Sequence, residues 1–262
     1  MAIERVSCYC IVPLFYLLGL RLGEVGVEYY DRWEDDSGEP TTKRRLRREL
    51  PHAANEVWPK PDGWEGYGFG KIRRHFMCKD YAHDITKPLP TMEDWQLFRD
   101  KYKEVVDNTI SFDDTMLPTH GYSISEKGQP PPYYAKSGSR GRGLFASRDI
   151  KKGDFIHDGS KGDVLFPTGM SWRKYIFSLP RNKACDMIDW TWTQRVEEGG
   201  PIKVYSAINI SILCNGGNKK NVNIPPKSGT SAVYYAVKDI KKDEELLTDY
   251  SIFETNWAAT GL

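Results

Sequence analysis

Residues 232–250 read AVYYAVKDIKKDEELLTDY, and this stretch decides the fold more than any other part of the sequence. It begins with an apolar segment typical of a strand and continues through a basic turn. The paired acids Glu244 and Glu245 follow, and the stretch closes on Asp249 and Tyr250. Because so short a strand is not stable alone, it must pair with elements from earlier in the chain.

The second block, residues 202–215, reads IKVYSAINISILCN. Its alternating start predicts a strand, and Asn209 and Asn215 follow at a spacing of six residues. Asn221 and Val222 come shortly after them. Two asparagines at fixed spacing supply side-chain amides that can both donate and accept hydrogen bonds.

The third block lies further upstream, where residues 140–146 read RGRGLFA and residues 149–156 read DIKKGDFI. This pattern predicts a strand with a Gly-x-Gly start, a charged turn that closes at Gly153, and a second strand. Glycine at such a position lets a ligand or a second segment approach the backbone closely. An ordinary hairpin with glycines at its turns is the alternative.

Taken in order, the three blocks resemble the SET domain, and the resemblance runs from about Arg140 to Phe253. It implies an α+β fold that is mainly β with short helices. The expected architecture is the β-clip of several small sheets, with a C-terminal threaded, pseudoknot-like segment. A helical or irregular N-terminal region would precede it.

The same resemblance implies transfer of a methyl group from S-adenosyl-L-methionine to a lysine of a protein substrate. Tyr250 would be the catalytic residue, since the closing tyrosine of the family has its hydroxyl at the reacting centre. The residues that would bind the cofactor are Gly141, Arg142, Gly143, Leu144, Asn215 and Gly216. No metal is expected in the site.

Four positions depart from the family pattern. The Asn-His-Ser core reads Asn215-Gly216-Gly217, and His157 or Asp158 stands where a tyrosine is usual. The expected arginine is Ile212, and no cysteine follows residue 250. These departures leave a second hypothesis open, a catalytically inactive SET-like domain that binds a protein partner, with Trp190 and Trp192 as its contact surface.

Composition limits the partners. The 37 basic and 36 acidic residues give a net charge of +1, so the protein as a whole has no strong positive electrostatic potential that would attract nucleic acid. The five cysteines include one C-x-C pair but no second Cys or Cys/His pair at the spacing of a structural zinc site. The three cysteines that follow residue 25 could form one disulfide or none. We expect a monomer that recognises its protein substrate locally.

Residues 1–25 predict an apolar leader, either a signal peptide or an anchor. Arg5 precedes an apolar run from Val6 to Leu20, which is short for a membrane span, and no clear cleavage site follows. A buried N-terminal helix or strand is the alternative. The leader favours the secretory pathway or membrane attachment over the nucleus or cytoplasm, and a basic cluster at residues 43–48 reads as a solvated helix face.

Residues 92–107 predict the clearest helix, with Thr91 and Asp94 as a capping-box-like start and an apolar stripe that should dock on the domain behind it. Residues 111–139 are rich in Pro, Gly, Ser and Thr and predict an extended connector. The predicted organisation is a leader at 1–25, a helical or irregular region and linker at 26–135, a SET-like domain at 136–255 and a tail at 256–262.

Overall fold

The computed structural model describes residues 52–82, 84–112, 131–158, 163–195, 199–218, 222–224, 233–253 and 256–262, which all belong to one compact unit, Glu49–Leu262. The predicted leader, the basic cluster at 43–48, most of the connector and Asn221 lie outside the described residues. Their assignments stay predictions. Within the described part, no helix combines the length and apolar character needed to cross a bilayer.

Among the described residues, three α-helices precede the first described strand: α1 (Phe69–His75), α2 (Cys78–Ala82) and α3 (Met92–Val105). The predicted capping box of α3 is confirmed, because the Thr91 hydroxyl accepts from the Asp94 amide at 3.2 Å and the Asp94 carboxylate accepts from the Thr91 amide at 3.0 Å. The apolar stripe of α3 faces the core, where Trp95, Phe98 and Tyr102 are buried. The helix therefore docks on the following domain as its pattern predicts.

The strands form four small sheets. Their bounds are β1 (Tyr133–Gly138), β2 (Gly141–Ala146), β3 (Phe155–Asp158), β4 (Asp163–Phe166), β5 (Thr191–Arg195), β6 (Ile202–Ala207), β7 (Asn215–Gly216), β8 (Val233–Tyr235) and β9 (Leu247–Thr248). The pairs β1–β2 and β3–β8 and the sheet β4–β6–β5 are antiparallel, and β7–β9 is parallel. With helices α4 (Gly169–Ile176) and α5 (Arg181–Asp189), this confirms the predicted α+β class of small sheets and short helices.

The C-terminal segment runs between parts of the chain that come earlier. On one side the Leu246 amide donates to the Leu144 carbonyl of β2 at 2.8 Å. On the other side the buried Asn223 accepts from the Leu247 amide at 2.7 Å and donates to the Glu245 carbonyl at 2.8 Å. The backbone polar groups of this buried segment thus have partners on both flanks.

One hydrophobic core includes residues on both sides of the predicted domain boundary at residue 135. The Tyr175 hydroxyl of α4 donates to the Phe98 carbonyl of α3 at 3.1 Å, and the Tyr102 hydroxyl donates to the Leu165 carbonyl of β4 at 2.5 Å. Trp172 and Tyr175 are fully buried within the same core. The N-terminal helices are consequently part of the packing that supports the sheets.

A disulfide joins Cys78 of α2 to Cys185 of α5 across 107 residues of sequence. The same two regions are held by Arg181, which donates to the carbonyls of Phe76 at 2.8 Å and Met77 at 2.7 Å. Of the possibilities that the cysteine count left open, one disulfide is the outcome. It fixes α5 to the N-terminal helices.

The predicted tail at 256–262 docks on α1 and α4. Trp257 stacks on Phe69 with ring centroids 3.9 Å apart, and Leu262 is buried. Arg173 of α4 donates to the Tyr67 carbonyl at 2.6 Å and to the Gly261 carbonyl. Gly169, the first residue of α4, lies against this tail, where an added Cβ would come within 2.6 Å of the Thr260 carbonyl oxygen.

We expect Gly169→Ala to lower the free energy of unfolding by about 1–3 kcal/mol, because the new methyl group must displace backbone rather than a flexible side chain. The measurement is urea unfolding followed by tryptophan fluorescence. Gly66→Ala is the matched control, since an added Cβ there meets nothing within 4 Å. Equal stability of the two variants would contradict the tight docking of the tail.

Candidate functional site

The Asn215 side chain joins the glycine-rich strand to the closing segment. Its Nδ2 donates to the Arg142 carbonyl at 3.1 Å and to the Glu245 carboxylate Oε1 at 2.8 Å. Both hydrogens of the amide are thereby directed into the protein, which turns Oδ1 to the opposite side as an acceptor. All three predicted blocks therefore meet around one amide.

Two glycines of β2 allow this approach. A Cβ on Gly143 would lie 2.9 Å from the Glu245 Oε1 and 3.0 Å from the Asn215 Nδ2, so a larger residue would separate them. Gly141 has a φ of +83°, a conformation that L-residues with a side chain rarely adopt. The Gly-x-Gly pattern thus serves a close backbone approach, as the sequence predicts.

Tyr250 begins a short 3₁₀ turn directly after β9, and its hydroxyl donates to the Cys214 carbonyl at 2.8 Å. Its ring covers Gly216, where an added Cβ would lie 2.8 Å from Cδ2 of the tyrosine. This contact explains the glycine at the position where the family has histidine. With the ring in this place, any side chain at residue 216 would strike it.

Arg140 contributes a cation that sequence reasoning did not assign to the site. It donates to the Gly216 carbonyl at 3.2 Å, and its Nε lies 3.9 Å from the Glu245 carboxylate. The expected arginine at position 212 is isoleucine, so Arg140 brings a positive charge to this part of the site from the β1–β2 turn. The sequence indicated this role of Arg140 only by placing it directly before the Gly-x-Gly motif.

Arg142 and Leu144, both predicted to bind cofactor, direct their side chains away from Asn215. The Arg142 guanidinium binds the Asp186 carboxylate at 2.6 and 3.2 Å and lies over the Trp190 ring, 5.1 Å from its centroid. The Leu144 side chain is fully buried in the core. Any contact of these two residues with a cofactor would thus be made by the main chain.

His157 occupies the place of the expected tyrosine and is buried. Its ring stacks on Tyr234 with centroids 4.4 Å apart, and it meets Tyr133 edge-on at 5.8 Å. Burial lowers the pKa of His157 to about 4, so the imidazole is neutral at physiological pH. It behaves as a core ring in this position.

A half-buried aromatic surface adjoins Tyr250. Its members are Tyr250, Phe253, Trp192 and Tyr205, whose neighbouring rings lie 5.6 to 6.1 Å apart. Trp190 is separate from it, because it is buried and stacks on Trp95 at 5.6 Å. Of the two tryptophans considered as a contact surface, Trp192 alone is in a position to serve.

Cys214 is the one free cysteine within the described ranges, and it is buried behind the site. Its Sγ lies 3.5 Å from the Leu246 carbonyl oxygen. Burial, reinforced by the negative charge of Glu245, raises the pKa of the thiol to about 12. The thiol is therefore a protonated core group and no nucleophile.

The sequence model of the SET domain matches residues 141–251 of this chain. No curated protein is significantly similar to it in sequence. Among solved structures, a Plasmodium falciparum protein described as a histone methyltransferase is 21% identical, with 50% of this chain and 99% of that chain covered and a TM-score of 0.31.

Two further structures are each similar over about half of this chain. Autoinhibited Polycomb Repressive Complex 2 of Chaetomium thermophilum, bound to S-adenosylmethionine, is 20% identical over 51% of this chain and 17% of that chain, with a TM-score of 0.36. The methyltransferase domain of human PR domain-containing protein 2 is 15% identical over 52% and 92% of the two chains, with a TM-score of 0.29. The chain thus spans about a sixth of the Chaetomium chain that it matches.

The Cys214 thiol provides a test of the site's burial. In a Cys8→Ser/Cys10→Ser background, we expect native protein at pH 9 to react with a thiol-specific disulfide reagent about a thousandfold more slowly than unfolded protein. At that pH a thiol of pKa about 12 is ionised in about one molecule in a thousand. The rate should keep rising with pH above 9, and fast modification at pH 8 would show that the thiol is not buried.

Proposed function

Because this chain is a SET-domain protein, we propose that it transfers a methyl group from S-adenosyl-L-methionine to a lysine of a protein substrate. The observation that carries the proposal is that the Asn215 amide lies against Gly143 of β2, while Tyr250 contacts the residues on either side of Asn215, Cys214 through its hydroxyl and Gly216 through its ring. In-line transfer requires that the amine, the methyl carbon and the sulfur be held on one axis, so positioning supplies most of the rate.

The residues around Asn215 fit such a cofactor. S-Adenosylmethionine carries an ammonium and a sulfonium, and the partly buried Glu245 carboxylate and the Asn215 Oδ1 offer negative charge and an acceptor to them. Arg140, whose side chain is 36% exposed, could bind the carboxylate of the ligand. When bound, the cofactor would supply an activated methyl group, while main-chain groups of residues 141–143 line the site.

Tyr250 is the proposed catalytic residue. Its hydroxyl donates to the Cys214 carbonyl at 2.8 Å, which fixes the phenol orientation and turns the oxygen lone pairs away from that carbonyl. An oxygen held in this way can accept from the substrate amine and make weak C–H contacts to the methyl group. The ring is held from behind by its close contact with Gly216.

The substrate lysine must lose its proton before it attacks. An aromatic surface such as that formed by Trp192, Phe253 and Tyr250 would remove water from the lysine stem, and desolvation lowers an amine pKa from about 10.4. The adjacent positive charge of a sulfonium would lower it further. No strong general base is then required.

A domain that binds a protein partner without catalysis is the second candidate. The same aromatic surface favours it, because rings bind ammonium groups by cation–π attraction without any transfer. The two candidates differ at the Tyr250 hydroxyl, which matters to transfer and is dispensable for aromatic contact.

We expect Tyr250→Phe to reduce methyl transfer at least a hundredfold while the fold and cofactor affinity persist, because the hydroxyl orients the amine and lies outside the core. The measurement is incorporation of radiolabelled methyl from S-adenosylmethionine into a library of lysine-containing peptides. Tyr175→Phe is the matched control, since that hydroxyl also donates to a main-chain carbonyl, at 3.1 Å, but within the core.

Transfer by Tyr250→Phe at the rate of the native chain would contradict the catalytic assignment. If the native chain binds peptides without transferring methyl groups, and Tyr250→Phe binds them equally well, the non-catalytic candidate is the correct one.

A further inference from the structure

We propose that Asp186 is a positioning residue for the cofactor site, a role that rests on the proposed function. Asp186 lies on α5 and contacts the site only through Arg142, the residue between the two glycines of β2. The two side chains are 2% and 7% exposed, so the ion pair is almost fully removed from water. Its bidentate geometry fixes the guanidinium in one orientation.

The Arg142 main chain carries this constraint into the site. While its guanidinium binds Asp186, its carbonyl accepts from the Asn215 Nδ2 at 3.1 Å. One residue therefore has its side chain anchored on α5 and its carbonyl bonded to the amide that joins the three blocks. Gly141 and Gly143 on either side lack side chains that could hold the strand, so Arg142 adds a side-chain anchor at this point to the backbone pairing of β2 with β1.

Two buried cations, Arg142 and Lys87, depend on the negative charge of Asp186. Lys87 lies 3.8 Å from the same carboxylate and is 11% exposed, and the Tyr81 hydroxyl donates to it at 3.3 Å. Burial lowers the pKa of Lys87, while the attraction of Asp186 opposes that shift. Without the carboxylate, Arg142 and Lys87 would be two largely buried cations that repel each other and lack the acid that contacts both of them.

The N-terminal helices hold Asp186 in place. The neighbouring Cys185 is bonded to Cys78 of α2, and Arg181 on the preceding turn binds the carbonyls of Phe76 and Met77. Tyr81 and Lys87 also come from this region, which precedes the span matched by the SET-domain model. Residues 76–82 and 84–87 are therefore a part of the cofactor site's support that the domain alone does not supply.

The test compares Asp186→Asn with Asp189→Asn in the full chain at pH 8. Asp189 is the matched control, because it lies on the same helix and its strongest charge partner is a different arginine, Arg73, at 3.5 Å, ahead of Lys87 and Arg142. Calorimetry gives the Kd of S-adenosylhomocysteine, and initial rates with S-adenosylmethionine give KM and kcat. For Asp186→Asn we expect Kd and KM to rise about tenfold or more with kcat within about twofold, and for Asp189→Asn a Kd within about threefold.

A double variant that replaces both charged side chains by apolar ones distinguishes a positioning role of Asp186 from a general loss of structure. If Asp186 acts through the charge of Arg142, the double variant Arg142→Met/Asp186→Leu binds S-adenosylhomocysteine more tightly than Asp186→Asn, because the buried guanidinium that would lack its partner is removed, while Lys87 keeps the attraction of Asp189 and Asp84. Asp186→Glu, which keeps the charge, should also bind more tightly than Asp186→Asn. These two comparisons apply even where Asp186→Asn folds poorly.

The outcomes distinguish this proposal from the proposed function. If the native chain does not bind the cofactor product at millimolar concentration, both proposals are overturned. If the native chain binds it and Asp186→Asn binds equally well, only the positioning role is overturned. A folded double variant that binds no better than Asp186→Asn, or a kcat that falls as far as kcat/KM, would also overturn it.

Discussion

The side-chain amide of Asn215 is the contact on which the rest of the site depends. It donates to the Arg142 carbonyl of β2 and to the Glu245 carboxylate of the closing segment, so stretches that are far apart in the sequence are held at one point. An amide with both hydrogens engaged in this way cannot rotate without losing two partners that are partly shielded from water. The acceptor oxygen is consequently presented in a fixed direction.

Several residues around the amide follow from this constraint. Glycine at residue 143 preserves this contact, because a Cβ there would displace the ends of the Asn215 and Glu245 side chains. Gly216 is required by the Tyr250 ring in the same manner. The absence of the family's histidine is therefore coupled to the position of the tyrosine, and Arg140 binds the Gly216 carbonyl from the other side. These departures form a consistent alternative packing around the same three blocks.

The sequence predicted the parts that depend on local pattern. The capping box at Thr91 and the strand patterns of the three blocks are local signals, the resemblance carried by those blocks implied the α+β class, and the structure confirms the capping box and that class. The Cys78–Cys185 disulfide and the Arg142–Asp186 ion pair could not be predicted from the sequence. Each joins residues 44 or more positions apart, and no pattern in a single sequence indicates that they are partners. Arg142 was predicted as a cofactor-binding residue, and nothing in the sequence indicated that its side chain would pair with Asp186 of α5.

The central claim is that the glycine strand, Asn215 and Tyr250 form one ligand site. It is tested most directly by NMR titration of the isotopically labelled chain with S-adenosylhomocysteine. The account predicts saturable shifts of the backbone amides of Gly143, Gly216 and Tyr250 with a common Kd, while exposed residues such as Gly66 do not change. Saturable shifts confined to one of the three segments, or none at millimolar ligand, would contradict it.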